Sequence, residues 1–185
     1  IGRSLSEKTV ETNKVSYVLT LSGFETASGD VNVLIPGGTL IDESNNPSVD
    51  YNVNLGRIDT IKPEWKVEGE ISYPTLDNNK APVTINIKGT DLFLDETKSN
   101  LKVEDIVVTL NGNDATGKIT KNLSDKVTGT NEVSYTLTLT GFDTASGIVV
   151  VTIPKDSLED ESQNKNEALE IPLRAIDVIR PEWKY

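Results

Sequence analysis

One pattern in the sequence decides the fold: residues 133–142 read VSYTLTLTGF, and residues 15–24 read VSYVLTLSGF. In both stretches apolar side chains alternate with mostly small polar ones, a period of two that is typical of a β-strand with one buried face. The apolar set is identical in the two stretches, whereas Val18 on the other face is replaced by Thr136. An apolar face that is kept while its opposite face changes indicates a strand packed on a core.

The two stretches belong to a longer internal repeat. Residues 1–67 align without a gap with residues 119–185, and 35 of the 67 pairs are identical. The offset of 118 residues lies within the usual size of one domain. We therefore predict that residues 1–62 are the C-terminal part of one repeat, whose N-terminal strands are absent from this chain. Residues 63–180 form a complete repeat, and residues 181–185 begin the next one.

Further strands are predicted by the same alternation at residues 31–35, 51–55, 83–88 and 106–110, with weaker signals at 68–73 and 117–123. Asn111-Gly112-Asn113-Asp114 is predicted to be a hairpin-type turn, and Gly89-Thr90-Asp91 is expected to be a turn. One helical turn is expected within residues 95–103. About seven short strands without an amphipathic helix are the pattern of an immunoglobulin-like sandwich.

Several motifs carry a family resemblance. Residues 135–142 (YTLTLTGF) are followed by VTIP at 151–154, by the polar turn DESQN at 160–164, and by an exit at Ile176-Asp177 and Arg180-Pro181. Together they resemble the bacterial immunoglobulin-like domains that are repeated in tandem in Gram-positive cell-surface and adhesin-type proteins. The chain departs from that family's commoner Ala-Gly-Asn loop, with Ser-Asn-Asn at 44–46 and Ser-Gln-Asn at 162–164.

The resemblance implies an all-β, immunoglobulin-like antiparallel β-sandwich in tandem repeats of 118 residues. It also implies a stalk or spacer that serves adhesion in an extracellular protein, either associated with the cell wall or secreted. The alternative is a module that binds a carbohydrate or a host protein through loops at one end of the sandwich. Neighbouring repeats are the expected partners, and strand exchange with another chain would complete the half repeat.

Composition excludes several classes of function. The formal net charge of −11 disfavours nucleic acids, whose binding rests on Lys and Arg, and insertion into a membrane is not expected of this segment. The chain has no Cys, His or Met, which excludes thiolate and imidazole metal sites and the common nucleophile–His pairs. We therefore predict that the protein is not an enzyme and has no cofactor, with calcium as the alternative because only hard oxygen ligands remain.

Two acidic loops are the candidates for calcium: Asp42 with Glu43, and Asp160 with Glu161. Carboxylate and amide oxygens gathered within a few residues suit calcium, which takes six to eight oxygen ligands. The same residue types also populate ordinary turns, because their side chains bond to nearby backbone groups. Both explanations stay open at this point.

The segment Pro63-Glu64-Trp65 returns as Pro181-Glu182-Trp183, and it is the candidate interdomain junction. Trp65 either buries its ring against the preceding domain and limits bending, or packs within its own module; stacking on a sugar is a third reading. A Lys–Asn isopeptide bond is a further hypothesis, with Lys66, Lys88 and Asn164 as possible members.

Overall fold

The computed structural model describes residues 1–75, 78, 80–142, 146–178 and 181–183. The chain divides into two compact units, Ile1–Ile61 and Lys62–Tyr185. All strand pairing is antiparallel and strands make up 46% of the chain, which confirms the prediction of an all-β protein. In the described part of the chain, no helix is long and apolar enough to span a membrane.

Nine strands lie within the described residues of the second unit. They are β7 (Glu64–Val67), β8 (Val83–Thr90), β9 (Val107–Leu110), β10 (Asn113–Asp114), β11 (Thr120–Leu123), β12 (Val127–Gly129), β13 (Glu132–Thr140), β14 (Val149–Ile153) and β15 (Leu169–Pro172). One sheet has the order β11-β13-β8-β7, with β12 also paired to β13, and the other has the order β10-β9-β14-β15. A single 3₁₀ turn lies at Val103–Asp105.

The two sheets of this unit share one apolar core, in an arrangement consistent with a β-sandwich. Strand β8 contributes Val83, Ile85 and Ile87, all wholly buried. The apolar face of β13, predicted from its alternation, is buried as expected at Val133, Tyr135, Leu137 and Leu139. Strands β9 and β14 cover it from the other sheet, where Val108, Leu110, Val149, Val151 and Ile153 are buried.

One hairpin turn has the backbone geometry that its sequence favours. Strands β9 and β10 are joined by Asn111 and Gly112, whose φ angles are 52° and 78°. Two consecutive residues with positive φ make the turn that matches the twist of paired strands, and Asn-Gly is the pair that adopts it at least cost. The predicted hairpin is confirmed, but its turn is shorter than expected, because Asn113 and Asp114 form strand β10.

The first strand of the second unit was misplaced by the sequence prediction. Residues 64–67 form β7, whereas residues 68–73 contribute only an isolated bridge between Ser72 and Thr84. The alternation of β7 is too short to be recognised in the sequence, because the strand has only two inward-facing residues, Trp65 and Val67. Strand β8 also runs on through Gly89 and Thr90, where a turn was predicted. Within residues 95–103, where a helical turn was expected, the chain forms a turn in which the Ser99 N–H donates to the Asp95 carbonyl at 2.9 Å, and the 3₁₀ turn follows it at Val103–Asp105.

Gly89 is required where β7 crosses β8. Trp65 pairs directly with Gly89, and a Cβ at that position would lie 2.6 Å from Leu158 and 2.9 Å from the Trp65 ring. The absence of a side chain therefore allows the indole to approach the strand closely, which is a common use of glycine within a sheet.

The first unit contains six strands: β1 (Gly2–Leu5), β2 (Thr9–Glu11), β3 (Lys14–Ser16), β4 (Leu19–Ser22), β5 (Gly29–Ile35) and β6 (Tyr51–Ile58). They form three two-stranded sheets, β1-β4, β2-β3 and β5-β6. The apolar face predicted for residues 15–21 is present but exposed: Val15, Tyr17 and Leu19 keep 37%, 48% and 42% of their surface accessible.

Local geometry recurs at positions 118 residues apart. Positive φ occurs at Asn13 and Asn131 (59° and 58°) and at Asn45 and Gln163 (62° and 68°). The pair β1-β4 aligns Ser4 with Thr20, as β11-β13 aligns Asn122 with Thr138. The exposed and the buried copies therefore differ in what covers them, while their turns and pairings agree.

Truncating the leucine at the matched position of each unit should distinguish the buried strand face from the exposed one. We expect Leu137→Ala to lower the free energy of unfolding of the second unit by about 2–5 kcal/mol, because Leu137 is fully buried. Leu19→Ala, its counterpart in the first unit, should leave that transition within about 0.5 kcal/mol. Urea unfolding followed by Trp65 fluorescence in a Trp183→Phe background measures both values. Equal losses for the two variants would contradict this assignment.

Candidate functional sites: the acidic loops and the Pro-Glu-Trp segments

The carboxylate of Asp160 organises the acidic loop of the second unit. Its Oδ1 accepts the backbone N–H groups of Ser162 and Asn164, each at 2.8 Å, and its Oδ2 accepts the Asn164 side-chain amide at 2.8 Å. Asp160 is wholly buried and Glu161 is exposed. These bonds hold a tight turn closed and satisfy backbone donors that would otherwise lack partners.

Asp42 makes the same bonds in the first unit. It accepts the N–H groups of Ser44 and Asn46, each at 2.8 Å, and the Asn46 side-chain amide at 2.9 Å. The hydrogen bonds from the Asn46 side chain and backbone lower the pKa of Asp42. Both Asp42 and Glu43 are exposed. The Asp-Glu-Ser sequence at 42–44 and 160–162 is therefore explained by turn formation in both copies.

Asn45 and Gln163 adopt a backbone conformation that is unusual for residues other than glycine. Both occupy the left-handed region, which glycine adopts without steric cost. Asn tolerates this conformation better than most residues, whereas Gln163 adopts it with more strain.

A second carboxylate lies beside Asp160. Carboxylate oxygens of Asp91 and Asp160 approach within 4.8 Å of each other. The N–H of Glu161 donates to the carbonyl of Phe93 at 2.9 Å, which draws the two loops together. Sequence reasoning placed Asp91 only in a turn after β8, and 69 residues separate it from Asp160. Its one available signal was its position directly after a strongly alternating strand.

The Asp91–Asp160 pair supplies two of the oxygen ligands that calcium needs. A carboxylate has about four lone-pair positions, and Asp160 uses three of them in its turn. Asp91 accepts the N–H of Phe93 at 2.8 Å. Neighbouring carboxylates repel each other, and a divalent cation between them would relieve that repulsion. Calcium at Asp160 stays a prediction, whereas Asp42 and Glu43 belong to no cluster of three or more carboxylates among the described residues.

A melting experiment tests calcium at this pair. If Asp91 and Asp160 hold the ion, the melting midpoint of the second unit rises in excess calcium relative to chelator, because the ion binds only the folded state. Asp91→Asn should remove most of that rise, while Asp42→Asn, the control in the first unit, should keep it. Differential scanning calorimetry gives the midpoints. A midpoint that does not change with calcium removes the hypothesis.

Trp65 belongs to the core of its own unit. It lies in β7, only 4% of its surface is accessible, and its ring centroid is 6.0 Å from that of Tyr135 at an interplanar angle of 59°. Its Nε1 donates to Ser157 Oγ at 2.9 Å, and that hydroxyl donates onward to the carbonyl of Pro154 at 2.9 Å. These contacts favour the reading in which Trp65 packs within its own module.

The neighbouring groups support the indole. The Tyr135 hydroxyl accepts the N–H of Leu101 at 3.2 Å, and burial raises the pKa of Tyr135. Pro63 is buried directly before β7.

In the second Pro-Glu-Trp segment Pro181 is exposed and Trp183 keeps 98% of its surface accessible, while Arg180 and Lys184 lie outside the described residues.

The Lys and Asn side chains considered for an isopeptide bond have other partners. Lys88 Nζ lies 2.6 Å from Glu132 and 3.6 Å from Glu68, and the hydrogen bond to Glu132 raises its pKa. Lys66 pairs with Glu64, and the Asn164 amide bonds to Asp160. The structure brings none of these three residues together as a Lys–Asn pair.

Substitution of Trp65 tests its role in the core. We expect Trp65→Ala to cost about 3–5 kcal/mol of unfolding free energy in the second unit, the usual range for a buried aromatic side chain. Trp65→Phe should cost less, since it loses the bond to Ser157 and only part of the ring. Trp183→Ala is the control and should change nothing. Far-ultraviolet circular dichroism in urea measures all three, and a loss below about 1 kcal/mol for Trp65→Ala would contradict a core role.

Comparison with known proteins adds no relative. A scan against family models and searches of curated proteins and solved structures found no match.

Proposed function

We propose that this chain is a non-catalytic segment of tandem immunoglobulin-like repeats, which acts as a stalk or spacer in a bacterial surface or secreted protein. The order of strands in the second unit supports the fold part of the proposal. In chain order, β7, β8, β9, β11, β13, β14 and β15 correspond to strands A to G. With the short strands β10 and β12 left out, the sheets read D-E-B-A and C-F-G, an order that supports the proposed constant-type immunoglobulin sandwich.

The spacer role is supported by the hydrogen bonds of polar residues that occur in both copies. Asp42 and Asp160 close turns in the two units. Ser28 donates to Asp59 in the first unit, as Ser146 donates to Asp177 at 3.1 Å in the second. Polar residues kept in both copies are thus engaged in building the module, which is what a repeated scaffold requires.

The path of the chain also suits a serial spacer. Strand β7 lies at the edge of one sheet of the second unit, and β15 lies at the edge of the other. Residues 59–63 are the only ones between β6 and β7. A connection this short, ending in proline, has far less freedom than a long flexible linker.

Two measurements distinguish the spacer role from the alternative, a module that binds a carbohydrate or a host protein. A reporter domain displayed on cells through residues 63–180 should become more accessible to a bulky ligand than the same reporter on a short linker, and more so with two copies. The full chain should remain silent on a glycan array and on extracellular-matrix proteins. Saturable binding there, together with reporter access that does not depend on copy number, would replace the spacer role with a binding role.

A further inference from the structure

The first unit carries an open apolar groove of about 940 Å³. One wall is formed by residues 15–21, with Val15, Tyr17 and Leu19 directed to the groove, and the other by residues 31–35 of β5 together with Pro36. Leu34, Ile35 and Leu40 along it are also exposed, at 55%, 45% and 54%. Contiguous apolar surface of this kind usually marks an interaction site.

The second unit shows what covers the equivalent surface. There β8 pairs with β13 through the register Val83 with Leu139, Ile85 with Leu137, and Ile87 with Tyr135. The three receiving residues correspond, 118 positions earlier, to Leu21, Leu19 and Tyr17, and all three are identical. Each is buried in the second unit, where β8 lies beside it in the sheet and β9 and β14 cover it from the other sheet.

The backbone of the first unit is open at the same place. Strand β13 pairs on one side with β11 and on the other with β8. Among the described residues, β4 pairs on one side only, with β1. An unpaired strand edge beside an apolar face is a template for the addition of a further strand.

We propose that this face receives an antiparallel β-strand with the chemistry of residues 83–90, in which Val, Ile and Ile alternate with Thr, Asn and Lys. The strand pairs with residues 15–21 in the register of β8 on β13, and it places its apolar side chains between β4 and β5. The partner is therefore a polypeptide segment of the repeat's own N-terminal type.

Part of this face also resembles the surroundings of Trp65, which precedes β8 in the second unit. Thr39 Oγ1 donates to the carbonyl of Pro36 at 3.0 Å, as Ser157 does to Pro154 beneath Trp65. Tyr17 and Leu40 correspond to Tyr135 and Leu158, which flank Trp65 in the second unit. Tyr17, Thr39 and Leu40 all line the groove.

A second copy of this chain is not the occupant. Its own strand of this type is β8, whose Val83, Ile85 and Ile87 have no accessible surface within the second unit. A folded copy would have to release that core before donating the strand. A segment that is not already paired meets no such cost.

The test uses the full chain and a labelled synthetic peptide with the sequence of residues 81–92 as the donor strand. We expect saturable one-to-one binding by fluorescence anisotropy, with slowed hydrogen exchange at the amides of residues 15–21. A peptide with Ile85→Asp and Ile87→Asp should bind at least tenfold more weakly, because both changes put a charge into the groove.

Matched variants of the chain locate the site. Leu19→Asp, on the groove wall, should weaken binding at least tenfold, whereas Thr20→Asp, on the opposite face of the same strand, should not. Tyr17→Lys is a second groove variant, and amide spectra of the first unit check that each variant keeps its fold. Binding that survives Leu19→Asp and Tyr17→Lys, no binding at millimolar peptide, or self-association that protects residues 15–21 without peptide would each overturn the proposal.

The inference goes beyond the spacer role and does not rest on it. Reporter display uses residues 63–180 and peptide binding uses the first unit, so failure of one leaves the other test intact.

Discussion

Strand β8 joins the parts of the second unit into one core. It lies between β13 and β7 in its sheet, and its wholly buried Val83, Ile85 and Ile87 face the strands of the opposite sheet. Burying a side chain of this size contributes about 1.5–3 kcal/mol relative to leaving it exposed. The same strand provides Gly89, over which Trp65 lies. Removal of β8 would therefore expose β13 and release Trp65 at once.

In the first unit, no strand among the described residues pairs with β4 on the side where β8 pairs with β13. Residues 15–21 carry the same apolar side chains as β13, yet they form two short strands, Lys14–Ser16 and Leu19–Ser22, in place of one nine-residue strand. Strand propensity is thus insufficient on its own, because cross-strand packing stabilises the sheet. Local turns do not need that support: the hydrogen bonds of Asp42 persist where the core is open.

Alternation and internal comparison predicted β8, β9, β13, β14 and β15 and the buried face of β13, because these signals are local, whereas the short strands β10 and β12 were not predicted. The Asn111-Gly112 hairpin was predicted because its turn chemistry is specific. Strand β7 was missed, because two inward residues are too few to define a period and the Pro-Glu-Trp segment resembles a linker. Asp91 was missed for a different reason: its closeness to Asp160 arises from tertiary folding across 69 residues, which no spacing rule encodes.

Native-state hydrogen exchange on the full chain tests most directly the claim that β8 decides the state of each unit. The amides of residues 133–139 should exchange only through global unfolding, because β13 is paired on both sides. The amides of residues 15–21 should exchange by local opening, at least a hundredfold faster. Equal protection of the two identical faces would contradict the account, because it would show that the first unit is stable without the covering strand.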